Sequence, residues 1–140
     1  MLESFARHQN LDIRLKIVGE GAGRSKLESL AKSLGINNQV QFLGNISNVG
    51  EVLAASDVFL MSSAWEGLPI ALIEATLEGL PVVVTNVGGC AEVVHQCANG
   101  FVVDSLDVDG YSAALEKIVA DEKLRFFSRA TLFNFRKSLR

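Results

Sequence analysis

The feature that most limits what this chain can become is a regular alternation of short apolar runs with segments of helical spacing. Ile13, Leu15 and Ile17 alternate, with Val18 following, and predict a first strand. Val40-Gln41-Phe42-Leu43, Asp57-Val58-Phe59-Leu60-Met61, Pro81-Val82-Val83-Val84-Thr85 and Phe101-Val102-Val103 predict four more. The run after Pro81 is continuous in valine, as a strand buried on both faces would be. Between the runs, Leu27, Leu30, Ala31 and Leu34 recur at helical spacing, and Gly35 stops that helix. Glu28 and Lys32, four apart, form a pair on its exposed side. Ile70, Ile73, Leu77 and Leu80 mark the core face of another helix, and Tyr111, Leu115, Ile118 and Val119 of one that starts near Asp107. Shorter helices are expected at Met1 to His8, Val49 to Ala55 and Gly89 to Gln96, and a last one at about Glu122 to Lys137. Strands alternating with helices imply right-handed crossovers and a five-strand parallel sheet covered on both faces. The expected fold class is α/β, a three-layer α/β/α sandwich.

The length of 140 residues suits one domain spanning 1–140, and a hydrophobic fraction of 49% suffices for its core. A net charge of −3 gives no electrostatic case for nucleic acid. Cys90 and Cys97 make neither a disulfide framework nor a zinc pattern, and point to a reducing, cytoplasmic setting. No apolar run is long enough to span a membrane, and the amino-terminal residues lack a signal-peptide core.

Ligands of such sheets bind at the carboxyl ends of the strands. Gly19, Gly44, Glu66 and Gly88 all fall just after strands and should share one edge. The densest chemistry lies in Ser62-Ser63-Ala64-Trp65-Glu66-Gly67-Leu68-Pro69, followed by a helix carrying Glu74. Pro69 suits the first position of that helix, where no amide donor is needed. Glu66 sits at the mouth of the turn and Glu74 about two turns on, separated by roughly 10 Å along one edge. Between them the helix start offers free amides and a positive dipole end, a seat for phosphate. Each acid also has a plain local explanation: a solvated loop residue for Glu66, and the helix dipole for Glu74. Glu74 is expected to face away from Ile70, Ile73 and Leu77.

Glu66 and Glu74, with seven residues between them, resemble the two-glutamate signature of the retaining glycosyltransferases of family 4. In that family the motif lies in the C-terminal, nucleotide-sugar-binding domain of the GT-B fold. Ala55-Ser56-Asp57-Val58-Phe59-Leu60 before it, and Gly79-Leu80-Pro81-Val82-Val83 and Thr85-Asn86-Val87-Gly88-Gly89 after it, match as well. The resemblance runs from about Leu15 to Arg125 and implies a Rossmann-like domain, the C-terminal half of a GT-B enzyme. The implied reaction transfers a sugar from a nucleotide-diphosphate sugar to an acceptor hydroxyl with retained anomeric configuration. The usual setting is surface polysaccharide or glycolipid synthesis. By the same resemblance Glu66 is the catalytic residue and holds sugar hydroxyls, while Glu74 accepts hydrogen bonds from the ribose. The amides of Gly67 and Leu68 face the phosphates or the sugar. Gly19 and Gly21 lie on the nucleotide side of the cleft, Ile46 and Asn48 line the base pocket, and Gly88 and Gly89 lie near the phosphates.

Other readings stay open beside these. Ser47 or Asn48 can cap the next helix, Gly19-Glu20-Gly21 can be a tight strand-to-helix turn, and Gly88-Gly89 can be a flexible entry to a helix. A nicotinamide fingerprint fails because Arg24 stands where its third glycine belongs. A phosphorylated receiver fails because its Asp is needed at a strand's carboxyl end, whereas Asp57 stands at the start of its run, and no acidic pair follows the first strand. His95 has no visible triad partner. With no Asp-x-Asp motif and no ligand cluster, no metal and no cofactor are expected, the nucleotide sugar being the donor substrate.

The chain also departs from the family. Set against the family pattern, the 140 residues are expected to lack the N-terminal acceptor domain and the opening segment that carries an Arg and a Lys for the diphosphate, and Phe126 to Arg140 is expected to lack the final crossing helix. The implied partner is therefore that N-terminal domain or a complementary chain, through which the enzyme would reach the inner face of a membrane. This chain alone is expected to be inactive. The alternative is a non-catalytic nucleotide-binding or interaction fragment.

Overall fold

The computed structural model describes residues 1–121, so the helix expected at Glu122 to Lys137 lies outside the described residues. In chain order the elements are α1 (Leu2–Ala6), β1 (Leu15–Val18), α2 (Arg24–Ser33), β2 (Val40–Gly44), α3 (Val49–Ala54) and β3 (Phe59–Met61). They continue with α4 (Ile70–Leu77), β4 (Val82–Thr85), α5 (Cys90–Cys97), β5 (Gly100–Val103) and α6 (Val108–Ala120). The α/β alternation expected from the sequence is present. Its strands form two hydrogen-bonded ladders instead of one run of five: β1 with β2, and β3-β4-β5, all parallel. The chain divides into two compact units, Met1–Val49 and Gly50–Arg140.

In the first unit, β1 starts at Leu15, two residues later than the alternation suggested. Ile13 belongs to a loop tied down by Gln39, whose side-chain amide donates to the carbonyls of Gln9 at 3.2 Å, Leu11 at 3.1 Å and Ile13 at 3.4 Å. Leu2, Phe5, Leu15, Ala31, Ile36 and Val40 are buried. On α2, Glu28 is held by Arg24, one turn earlier, with Nε donating to Oε1 at 2.8 Å. Arg24 rather than Lys32 is thus the cation facing Glu28.

The second unit is built around β4. Val82 to Thr85 are all buried, because β-branched residues suit a pleated strand covered on both faces. Side chains alternate across a strand. On one face Val82 and Val84 join Leu72 of α4 and Cys90 and Val94 of α5 in a continuous core. On the other side α6 packs against β4 and β5. There the buried Tyr111 hydroxyl donates to the Val83 carbonyl at 3.0 Å. α6 begins at the expected place, with the Asp107 side chain accepting from the Gly110 amide at 2.8 Å.

One expectation for α4 is corrected. Its buried face carries Leu72, Ala75 and Thr76, whereas Ile70 is 60% and Leu77 42% exposed. Glu74 follows Ile70 by four and precedes Leu77 by three, so it shares their exposed side and does not face away from them. The sequence Ile-Ala-Leu-Ile-Glu-Ala-Thr-Leu is apolar almost all round, and one charged residue leaves the phase of its periodicity undetermined.

Candidate functional site

In the second unit, the parallel register pairs Met61 with Val84, so the loops after β3 and β4 leave the sheet side by side. The first is Ser62 to Pro69 and the second Asn86 to Gly89. Thr85, buried at the end of β4, donates its hydroxyl to the Ser63 carbonyl at 2.7 Å. Ser63 in turn donates its hydroxyl to Oε1 of Glu66 at 2.6 Å. This is the short distance expected of a hydrogen bond to a carboxylate. Glu66 is half-buried, and the neighbouring Trp65 is 81% exposed.

Gly88 closes the other side. Its φ is +51°, and a Cβ there would lie 2.1 Å from the Glu66 carbonyl oxygen. Only a residue without a side chain lets the two loops touch backbone to backbone. A Cβ on Gly89 would meet Cδ of Pro69 at 3.7 Å, an ordinary contact. Cys90, fully buried at the start of α5, has its thiol pKa pushed up by burial and then by the Glu66 carboxylate. It is a neutral core residue, not a nucleophile.

α4 and α5 both begin at this edge, and no side chain caps either start. α6 contrasts with them, its start being satisfied by Asp107. Uncapped first-turn amides carry the positive end of the helix dipole and favour an anion. Pro69 sits one position earlier than expected, at the cap of α4, and Glu74 is exposed in the helix interior. Gly67 and Leu68 form the exposed lip of the turn, with Leu68 69% exposed. Of the residues singled out from the sequence, the structure brings Glu66, Gly67, Gly88 and Gly89 together, and sets Glu74 on the exposed side of the helix they adjoin. Sequence reasoning missed Ser63 and Thr85. The signal for Ser63 was its place three residues before Glu66, and for Thr85 a hydroxyl closing an otherwise all-valine strand.

In the first unit, Gly19 and Gly44 end β1 and β2 and bridge to each other, with the Gly19 amide donating to the Gly44 carbonyl at 2.8 Å. Gly44, at φ +67°, is crowded by Glu20 and Arg24, whose side chains pair across the glycine loop. The Arg24 guanidinium also lies 6.0 Å from the centre of the Phe42 ring. Gly21 is exposed with open space around it, Ile46 is half-buried, and Asn48 stands directly before α3.

The sequence matches the family described as glycosyl transferases group 1 over residues 1–126. The chain belongs to that family. It is 38% identical over 125 residues to the lipopolysaccharide core biosynthesis glycosyltransferase LpsE of Rhizobium meliloti strain 1021, covering 89% of this chain and 36% of that protein. Its fold matches WaaG, a glycosyltransferase involved in lipopolysaccharide biosynthesis, with a TM-score of 0.86 and 29% identity, covering 96% of this chain and 37% of that one. It also matches Anabaena HepE, solved in complex with UDP, with a TM-score of 0.81 and 24% identity, over 94% of this chain and 38% of that one. The second of these structural likenesses speaks for the fold alone. The architecture is thus the Rossmann-like parallel α/β fold of GT-B glycosyltransferases. The chain spans about a third of the length of the relatives it matches. Among the described residues, no helix is long and apolar enough to cross a membrane.

Proposed function

We propose that this chain is the donor-binding, C-terminal part of a retaining glycosyltransferase of family 4, and that its second unit holds the diphosphate and sugar of a nucleotide-diphosphate sugar. The observation that carries this reading is the placement of Glu66, fixed by Ser63 and Gly88 beside the uncapped start of α4. A carboxylate accepts from sugar hydroxyls, and helix-start amides donate to the oxygens of a diphosphate. In sugar transfer the bond from the anomeric carbon to the diphosphate breaks. The nucleoside diphosphate leaves with the electron pair, and a bond forms to the acceptor oxygen, whose proton passes to the departing diphosphate. Amides already aimed at the leaving group stabilise its developing charge without reorganisation. The name of one relative supports the donor class: at 32% identity it is the UDP-Gal:alpha-D-GlcNAc-diphosphoundecaprenol alpha-1,3-galactosyltransferase of Escherichia coli. The names of others support a setting in lipopolysaccharide or other surface polysaccharide synthesis; a place at the cytoplasmic side of a membrane stays part of the proposal. The roles implied for Gly19, Gly21, Ile46 and Asn48 toward the nucleotide stay part of the proposal, as does the need for an acceptor-binding partner.

The test is calorimetric titration of nucleotide sugars and the matching nucleoside diphosphates into Glu66→Ala and Glu74→Ala. Hydrogen bonds to a charged group contribute about 1.5–3 kcal/mol, so Glu74→Ala should weaken both ligands by about ten- to a hundredfold. Glu66→Ala should weaken the nucleotide sugar and leave the diphosphate nearly unchanged. Parent-like binding by Glu74→Ala would return that carboxylate to a role on the helix dipole. A parent that binds both ligands equally would favour a non-catalytic nucleotide-binding module.

A further inference from the structure

The hydroxyl of Ser63 meets the Glu66 carboxylate, to which the proposed function gives the sugar hydroxyls. We propose that Ser63 is a positioning residue, which orients Glu66 for sugar recognition and is itself locked by Thr85; this rests on the donor-binding reading above. The following observations carry it. The Ser63 hydroxyl donates to Glu66 Oε1 at 2.6 Å, which occupies one carboxylate oxygen. That bond engages Oε1 and not Oε2, and a carboxylate accepts at both oxygens, so the second can take a sugar hydroxyl. The Ser63 carbonyl is anchored at 2.7 Å by Thr85, only 5% exposed and standing at the end of a wholly buried strand. The Glu66 backbone is stopped from behind by Gly88, which a single methyl group would drive into its carbonyl.

A glutamate in a loop otherwise samples several rotamers, and ordering it on binding costs affinity. The chain from Thr85 through Ser63 to Glu66 removes that cost in advance by tying the carboxylate to the most buried strand of the unit. Ser63 therefore sets the preference for a nucleotide sugar over the bare diphosphate, without touching the nucleotide.

The experiment uses Ser63→Ala and Ser63→Thr in the full chain. UDP-glucose, UDP, GDP-mannose and GDP are titrated, and thermal unfolding is followed in parallel. Ser63→Ala should lose about three- to tenfold in affinity for the preferred nucleotide sugar, the scale expected for one side chain that must be ordered on binding. It should bind the matching diphosphate as the parent does and unfold at the parent temperature. Ser63→Thr keeps the hydroxyl and should restore the preference. Equal loss of sugar and diphosphate ligands, or an unchanged preference in Ser63→Ala, would overturn the proposal. If the parent itself prefers no nucleotide sugar, the donor-binding reading fails. A ligand-free crystal structure of Ser63→Ala then decides the positioning role: a Glu66 carboxylate that leaves its place supports it, and one that stays overturns it.

Discussion

Replacing Gly88 by alanine tests the backbone contact on which the candidate site depends. The left-handed conformation at φ +51° costs an L-residue roughly 1–2 kcal/mol relative to glycine. The new Cβ would also stand 2.1 Å from the Glu66 carbonyl oxygen and 3.3 Å from that of Gly67, so one loop must move by about the overlap. Both loops are anchored close by, through Thr85 to Ser63 on one side and the core residue Cys90 on the other. Neither can give way without disturbing buried structure. Conformation and overlap together should cost about 2–3 kcal/mol, the range usual for overpacking with backbone strain. At roughly 3–4 °C per kcal/mol for a chain of this size, Tm should fall by about 6–12 °C.

The control lies in the same motif. Gly67 is not in the left-handed region, and a Cβ there would meet only Trp65, at 3.8 Å. Gly67→Ala should stay within about 0.5 kcal/mol of the parent. Thermal or urea unfolding of the two variants side by side gives the answer. A parent-like Gly88→Ala would show that the two loops do not touch as described. Equal destabilisation by both variants would show that the turn objects to any side chain, and the argument from close approach would fail.

The remaining predictions concern the frame beneath the site. Leu72→Ala removes a fully buried side chain from the core and should cost about 2–5 kcal/mol, whereas Ile70→Ala, on the exposed side of the same helix, should stay within about 0.5 kcal/mol; denaturant midpoints of the two check the phase of α4. Burial raises the Tyr111 phenol above its ordinary pKa of 10, so the folded state holds that proton more tightly than the unfolded chain. Its stabilising contribution should be complete below pH 10 and be lost as pH rises beyond it, and Tyr111→Phe should flatten that alkaline slope while lowering stability at neutral pH by about 1–2 kcal/mol.

Much of the fold could be read from local pattern, and the parts that could not have a common physical cause. The valine run of β4 and the Asp107 start of α6 are decided by a few adjacent residues, and both were found where expected. Strand limits were less secure: β3 begins at Phe59 and not at Asp57, since a pattern marks where an apolar run sits but not where its ladder begins. Which strands pair is a long-range choice, so the division into two ladders left no local trace. The phase of α4 was lost because its apolar residues lie all round, leaving two faces that periodicity cannot rank. The charge partner of Glu28 went astray for a related reason, since Arg24 and Lys32 are each four residues away and only geometry separates them. Within the candidate site, the glutamate and the glycine pair were legible as residue types at strand ends. The hydroxyls that hold the glutamate were not, because a serine in a loop and a threonine in a strand look the same whether or not they are used.

The site is in the end a consequence of sheet register. Val82, Val83 and Val84 pair in step with Phe59, Leu60 and Met61, which leaves Thr85 one residue past the last pair and Ser63 two. At that offset the Thr85 hydroxyl reaches the Ser63 carbonyl, and Ser63 reaches Glu66 within its own turn. A slip of one residue would turn every side chain of β4 to the opposite face. Thr85 would leave the Ser63 loop, and Val82 and Val84 would leave Leu72 and Val94 in the same movement. The burial that fixes β4 between its helices is therefore also what aims the carboxylate. Mutations that loosen this core without touching either loop should weaken nucleotide-sugar preference before they unfold the chain.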